Sequence, residues 1–298
     1  MNHADNKHIM YDLSLDRFFS SDPLQAIENI DTPLTVCYHI GYACNLQCPF
    51  CSSKGRQKYA DISEETLCEF ISRYQIPRVV ISGGEPFLYP DKLKKVLCAI
   101  KECGAYTFVS TNGTQLDAVS DELLKCIDWI DISLPATSRA LYAKIRGTDC
   151  FLDVIQFIRK MKQADKRIRI SYTLSSLNFH DIYKLPLFSK KLGITNLRIS
   201  HTYGTPEGIL WEPQYSFELK ARFKQENPLA VIYTPLSPEK IEEYRYGYLI
   251  IDPGGDIYHF DTRDENKLFP LQDSLKNASK IREISKAQAK LFCKRVEK

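Results

Sequence analysis

The sequence predicts an α/β protein on a parallel sheet of six strands, open or curved into a partial barrel, followed by a β-hairpin and helix extension. Two observations carry this. From Leu34 to Thr202, short β-branched or aromatic runs alternate with longer segments of helical period. Each pair of runs is separated by enough chain for a crossover helix, so the strands lie parallel with right-handed connections. Composition agrees: of 298 residues, 44% are hydrophobic and 26% charged, which suits one large core and excludes a disordered or collagen-like chain.

The predicted strands are Leu34–His39, Arg78–Ser82, Tyr106–Thr111, Trp129–Leu134, Arg167–Leu174 and Asn196–His201. Between them, Ser63–Tyr74, Asp91–Cys103, Asp117–Cys126, Phe151–Ala164 and Ile182–Leu192 place apolar residues three and four apart, the period of a helix with one buried face. In such sheets the functional residues sit at the C-terminal ends of the strands. After Tyr203 the pattern breaks at GTPEG and EPQY, then resumes with a helix and a strand near Ala230–Tyr233. In YGYLIIDPGGDIYHF, the turn residues Pro253, Gly254 and Gly255 between alternating apolar residues predict a hairpin. The Lys-rich end predicts a capping helix. The division expected is an N-terminal arm over 1–33, a catalytic unit over 34–202 and an extension over 203–298.

Forty Lys and Arg against 37 Asp and Glu leave a charge of +3, and no run of five or six like charges marks a nucleic-acid or membrane partner. The N-terminus lacks the pattern of a secretory signal and no stretch of about 18 apolar residues occurs, so the cytosol is the expected compartment. The ten cysteines are then read as thiols rather than as a disulfide framework.

Three of them stand together after the first strand, in Cys44-Asn-Leu-Gln-Cys48-Pro-Phe-Cys51. A structural zinc site normally takes four protein ligands, and no second C-x-x-C or H-x-x-x-H completes one. Three thiolates suit a cubane iron–sulfur cluster, in which they ligate three irons and leave the fourth open to an exogenous ligand.

The C-x3-C-x2-C loop resembles the signature of the radical S-adenosylmethionine (SAM) superfamily. Ile81-Ser82-Gly83-Gly84-Glu85-Pro86, at the end of the second strand, resembles its GGE motif, and Ser110-Thr111-Asn112-Gly113 its TNG turn. Ser133 closes the fourth strand, and Lys144-Ile145-Arg146-Gly147 resembles the family's IRG stretch. The resemblance implies a partial (β/α)6 barrel over about 34–202, with one [4Fe-4S] cluster on Cys44, Cys48 and Cys51. It implies SAM on the open iron, contacted by Phe50, Gly83, Gly84, Glu85, Pro86, Thr111, Asn112, Ser133 and Arg146. Glu85 would receive the amino group and Arg146 the carboxylate. His201, ending the sixth strand, is placed to bond SAM or substrate, or a loop carbonyl. A strand-end Ser also caps the next segment, and a helical Arg also faces solvent, so Ser133 and Arg146 rest on the family context.

The implied chemistry is reductive cleavage of SAM to a 5′-deoxyadenosyl radical that abstracts hydrogen from a substrate carbon, with an electron from a donor such as flavodoxin or ferredoxin. Cys150 and Cys293 are candidate hydrogen-donating thiols, and Cys37 is read as core. Leu249–Tyr258 resembles the hairpin that opens the auxiliary-cluster segment of SPASM or twitch proteins, but His259 and Phe260 replace its cysteine and only Cys293 follows. A full auxiliary cluster is therefore not expected, and the hairpin is expected to form a lid and wall over the barrel. The leading expectation is epimerisation, dehydration or rearrangement of a small polar metabolite. The alternatives are a peptide modifier, a viperin-like nucleotide dehydratase, a glycyl-radical activase and a non-catalytic cluster protein. The resemblance to the molybdenum-cofactor cyclase family is confined to the barrel.

Overall fold

The computed structural model describes residues 9–13, 17–49, 51, 53, 55–56, 61–201, 213–233, 249–259 and 266–295. The chain enters through β1 (Met10–Asp12), antiparallel to β2 (Arg17–Ser20), and helix α1 (Pro23–Asn29), whose first turn is capped by Asp22 accepting from the Gln25 N–H. Six parallel strands follow in spatial order: β3 (Thr35–His39), β4 (Arg78–Ser82), β5 (Tyr106–Thr111), β6 (Trp129–Ser133), β7 (Arg167–Leu174) and β8 (Asn196–His201). Their crossovers carry α2 (Glu64–Arg73), α3 (Pro90–Glu102), α4 (Asp121–Lys125), α5 (Arg139–Arg146), α6 (Phe151–Gln163) and α7 (Leu185–Leu192).

Helix α8 (Pro213–Glu226) leads to β9 (Val231–Tyr233), which adds parallel to β8. At the other edge β10 (Leu249–Ile251) adds parallel to β3, and β11 (Asp256–His259) and β12 (Lys267–Pro270) continue antiparallel. Among the described residues the sheet thus has ten strands and two separate edges, the architecture of a partial barrel. Helix α9 (Ala278–Phe292) and β13 (Cys293–Arg295) finish the chain, with β13 pairing to β2. Among the described residues no helix is long and apolar enough to cross a membrane.

The two faces of the sheet differ because side chains alternate along each strand. Val36, Tyr38, Val79, Ile81, Ile130, Ile132, Ile170 and Leu197 are buried in one apolar cluster with the helices. The opposite, inner face carries Cys37, Phe108, Trp129, Asp131, Arg169 and Arg198, aligned by the strand register. Its floor is closed by the N-terminal arm. Trp129 Nε1 donates to the Leu13 carbonyl at 2.8 Å, and the Tyr11 ring lies 5.4 Å from that of Tyr106. Gln288 of α9 acts as an extra strand residue at the start of β3, accepting from the Leu34 and Thr35 N–H groups and donating to the Thr35 carbonyl.

Three sequence expectations change. The segment Asp117–Cys126 splits into a single 3₁₀ turn and α4, because the Ser120 hydroxyl caps Leu123 N–H and starts a new helix. The β6–β7 crossover holds two helices, α5 ending at Gly147 in the left-handed conformation that a side chain would resist (φ 74°). Cys98 and Cys126 are joined by a disulfide rather than lying as thiols, since α3 and α4 bring their Cα atoms to 5.4 Å. The hairpin turn is tied to the chain before α2, Pro253 accepting from the Ile62 N–H at 2.8 Å, and β10 to β12 lengthen the sheet edge as a wall.

Arg169 forms a two-pronged pair with Asp131, both bonds at 2.7 Å and both side chains buried. Burial alone would raise the Asp131 pKa, but Arg169, Arg198 and Arg78 outweigh it and hold the carboxyl below its ordinary value. That contribution is present above about pH 4 and is lost as pH falls through the lowered value. We expect Asp131→Asn, which strands buried guanidinium charge, to cost about 3–5 kcal/mol in urea unfolding. It should also flatten the acid limb of the stability curve; an unchanged limb would count against this account.

Candidate active site

The cysteine loop leaves β3 at the C-terminal end of the sheet. Cys48 is 6% exposed, whereas Cys44 and Cys51 are open to solvent. Two of the three sulfurs receive N–H donors. Leu46 N and Asn112 Nδ2 lie 3.4 and 3.8 Å from Cys44 Sγ, and Arg146 Nη1 lies 3.3 Å from Cys48 Sγ. Burial pushes the Cys44 thiol up, with the Leu46 N–H acting against it. Asn112 also holds the loop through Asn45 Oδ1 at 2.9 Å, and Asn45 in turn donates to Thr114.

Among the described residues no three His, Cys, Asp or Glu side chains stand close enough to hold a single metal ion. One tetrahedral ion draws its ligands tightly together, whereas a cubane offers each thiolate a different iron and spaces the ligands more widely. The donor set fits the cubane: three cysteines on one loop, with cationic and amide N–H groups directed at their sulfurs.

The Gly-Gly-Glu segment supports that loop. Gly84 N and Glu85 N donate to the Gly41 and Ala43 carbonyls, both at 2.8 Å. A Cβ on Gly83 would collide with the Gly41 oxygen and one on Gly84 with the Ala43 oxygen, so both glycines are required by backbone packing. Glu85 is fully buried. Its carboxylate accepts from Thr111 Oγ1 and Asn112 N, both at 2.7 Å, and from Phe87 N at 3.1 Å. Burial raises its pKa, opposed by those three donors and by Arg146. In this structure the Glu85 oxygens therefore brace β4 to β5. Pro86 begins a buried single turn behind them.

Arg146 lies inside, not on a solvated face: it is 8% exposed, and Nη2 donates to the Ser133 carbonyl at 3.2 Å. The last turn of α5 thus links the end of β6 to Cys48. Tyr142, one turn earlier, has its hydroxyl buried without a hydrogen-bond partner among the described residues, and burial pushes its pKa up to about 12. A buried hydroxyl of this kind fits a polar group brought in by a cofactor.

Other predicted residues separate. Phe50 lies outside the described residues, as does the side chain of His201, whose backbone ends β8. Cys293 is displaced from the site. Its strand β13 pairs with β2 in the sheet of the N-terminal arm, which covers the N-terminal ends of β5 and β6, opposite the cysteine loop. Cys150 packs against the outer helical core, its thiol raised by burial and by Asp153 and Asp149. Cys37, read as core, instead lies on the inner face, in register with Val80 and Ile250, and burial pushes its thiol up to about 12. The inner-face residues Asp131, Arg169 and Arg198 escaped the sequence reading. Their signal was a charge at the centre of an otherwise apolar strand, a position that requires a partner or a ligand.

Replacing Glu85 by Gln places an amide N–H against the donors of Thr111 or Asn112. We expect Glu85→Gln to cost about 1–3 kcal/mol in denaturant unfolding of the cofactor-free chain. A neutral effect would mean that the carboxylate is not the brace described.

Residues 38–185 match the family model described as the radical SAM superfamily. A protein of Saccharolobus solfataricus named "Probable GTP 3′,8-cyclase" is 31% identical over 166 residues, 53% of each chain. Mycofactocin maturase MftC of Mycobacterium tuberculosis is 28% identical over 178 residues, 57% of this chain and 45% of that one. The matched part thus spans about half the length of these relatives. Streptococcus suis SuiB bound to S-adenosylmethionine shares the fold with a TM-score of 0.67 at 17% identity, over 86% of this chain and 67% of its own. Native anSMEcpe with bound AdoMet and Kp18Cys peptide superposes with a TM-score of 0.64 at 14% identity, over 84% of this chain and 82% of its own. Residues 38–185, with their cysteine loop and Gly-Gly-Glu support at the C-terminal end of a partial barrel, form a radical SAM superfamily domain, and members of that family use a [4Fe-4S] cluster and SAM.

Proposed function

We propose that Cys44, Cys48 and Cys51 hold a [4Fe-4S] cluster and that the chain uses SAM to abstract hydrogen from a carbon of a small polar metabolite. Epimerisation, dehydration or rearrangement follows. The observation that carries the reading is Arg146, whose guanidinium joins the sulfur of Cys48 to the end of β6. When bound, SAM at the reduced cluster supplies the radical that removes the hydrogen atom.

The remaining work belongs to the protein. Arg146 and Asn112 direct N–H groups at two thiolates, which stabilises their negative charge and fixes the loop. The Gly83–Gly84 backbone and the buried Glu85 keep the loop on β4. Ser133 and Thr111 stand at the strand ends where SAM would lie, Arg146 reaches the end of β6 from α5, and the inner face offers polar walls for the substrate. The electron comes from a small redox protein of the flavodoxin or ferredoxin class.

A peptide substrate is the second reading. The likeness of fold to SuiB and anSMEcpe, which runs beyond the matched domain over more than four-fifths of this chain, favours it.

The test is iron and sulfide per chain after anaerobic reconstitution, with the EPR spectrum of the reduced protein before and after SAM. About four irons and a SAM-dependent shift are expected; about eight irons would require a second cluster, and zinc in place of iron would overturn the reading. With Cys44, Cys48 and Cys51 all replaced by Ala, iron and 5′-deoxyadenosine formation should both fall to background, and retained cleavage of SAM would sink the assignment.

A further inference from the structure

We infer that the inner face of the barrel carries an oxyanion subsite centred on Arg198, which anchors a phosphate or carboxylate of the substrate. The inference rests on the functional reading above and narrows its substrate class. Asp131 has both oxygens engaged by Arg169, at 2.7 Å each, so its charge is already matched. Arg198 is a second cation on that carboxylate, held more loosely at 3.4 Å. Its side chain is 32% exposed, against 2% for Asp131 and 3% for Arg169.

The guanidinium is aimed, not free to swing. Nε and Nη2 both lie 3.2 Å from Ser171 Oγ. The N–H groups left over after Ser171 and Asp131 have no partner among the described residues, and a planar fork of donors matches the oxygens of a carboxylate or phosphate. Hydroxyls flank it: Ser200 Oγ donates to Thr173 Oγ1 at 3.4 Å one row nearer the strand ends. Such hydroxyls supply further donors and acceptors to the same oxyanion.

Position connects this subsite to the cofactor. Ser133, Ser171 and Arg198 are register partners on adjacent parallel strands. Two strand spacings separate Arg198 from Ser133, about 10 Å across the sheet, and Ser133 touches the arginine that bonds Cys48. An anion seated on Arg198 therefore leaves about the length of a small metabolite between anchor and reacting carbon. The space is interior, since the face of the sheet that carries Arg198 on β8 also carries Cys37 of β3. On that strand His39 Nδ1 is buried without a hydrogen-bond partner among the described residues, a second polar atom that an interior ligand would satisfy. Holding a remote charged group in this way places the reacting carbon without burdening the chemistry.

The test measures binding of two probes, inorganic phosphate by ³¹P and [¹³C]acetate by ¹³C linewidths, to the reconstituted chain with SAM present and the cluster reduced. Saturable broadening that depends on the paramagnetic cluster is expected for at least one anion. Stronger binding of phosphate would select a phosphorylated substrate, and stronger binding of acetate a carboxylate. Arg198→Gln should weaken it at least tenfold. Arg198→Lys, which keeps the charge beside Asp131 but loses the fork, should fall between, and Ser171→Ala should weaken it several-fold. Iron content and the SAM-dependent EPR shift should stay at wild-type levels in all three. Equal affinity in the wild type and Arg198→Gln, or no saturable binding of either anion, overturns the subsite. A wild-type chain that takes up no iron overturns the functional reading, and titration calorimetry of phosphate on that chain, wild type against Arg198→Gln, still decides the inference.

Discussion

The C-terminal end of the sheet depends on one close approach of two backbones. Gly83 and Gly84 let the end of β4 lie directly under the carbonyls of Gly41 and Ala43, and two short hydrogen bonds fix the loop as it leaves β3. The next residue, Glu85, turns inward and ties β4 to β5 through Thr111 and the Asn112 N–H, while the Asn112 amide returns to Cys44. Three strands and the cysteine loop thus form a closed circuit. A buried carboxylate without donors is costly, so the end of β5 cannot drift without leaving Glu85 unsatisfied.

The barrel divides its work between two faces. Outside, aliphatic side chains from alternate strand positions meet the helices and supply the apolar burial that stabilises the fold. Inside, Asp131, Arg169 and Arg198 form a charged layer that an apolar core would not need. Arg169 answers the charge of Asp131 with ideal geometry, and that pair is structural. Arg198 is partly exposed, aimed by Ser171 and in excess of the negative charge beside it among the described residues, which is the disposition of a binding group.

The segments outside the barrel strands serve both ends of it. The arm at Leu13 and Tyr11 closes the floor against Trp129 and Tyr106, and β13 joins that arm through β2. Gln288 secures α9 to the first residues of β3. At the other end β10 extends the sheet beside β3, so the hairpin widens the wall next to the cysteine loop. The extension is therefore part of the barrel's architecture on both edges.

Much of this was legible in one dimension. Strand positions, crossover helices and the hairpin follow from alternation, helical period and turn residues, each a local property; Arg78–Ser82 and Asn196–His201 match the observed strands end to end. The C-x3-C-x2-C spacing likewise marked the candidate cluster loop, since three thiols on one short loop need no distant partner. Tertiary structure decided the rest. Glu85 reads as an open carboxylate until β5 arrives beside it, and Arg146 reads as a surface residue until α5 packs its last turn against Cys48. Cys98 and Cys126, with 28 residues of separation, meet only because α3 and α4 are neighbours. Cys293 leaves the site because the last strand pairs at the far end of the barrel. The inner charged layer was visible only as isolated charges in strands, because whether a buried charge is paired, surplus or exposed depends on neighbours that alternation along a single strand does not reveal.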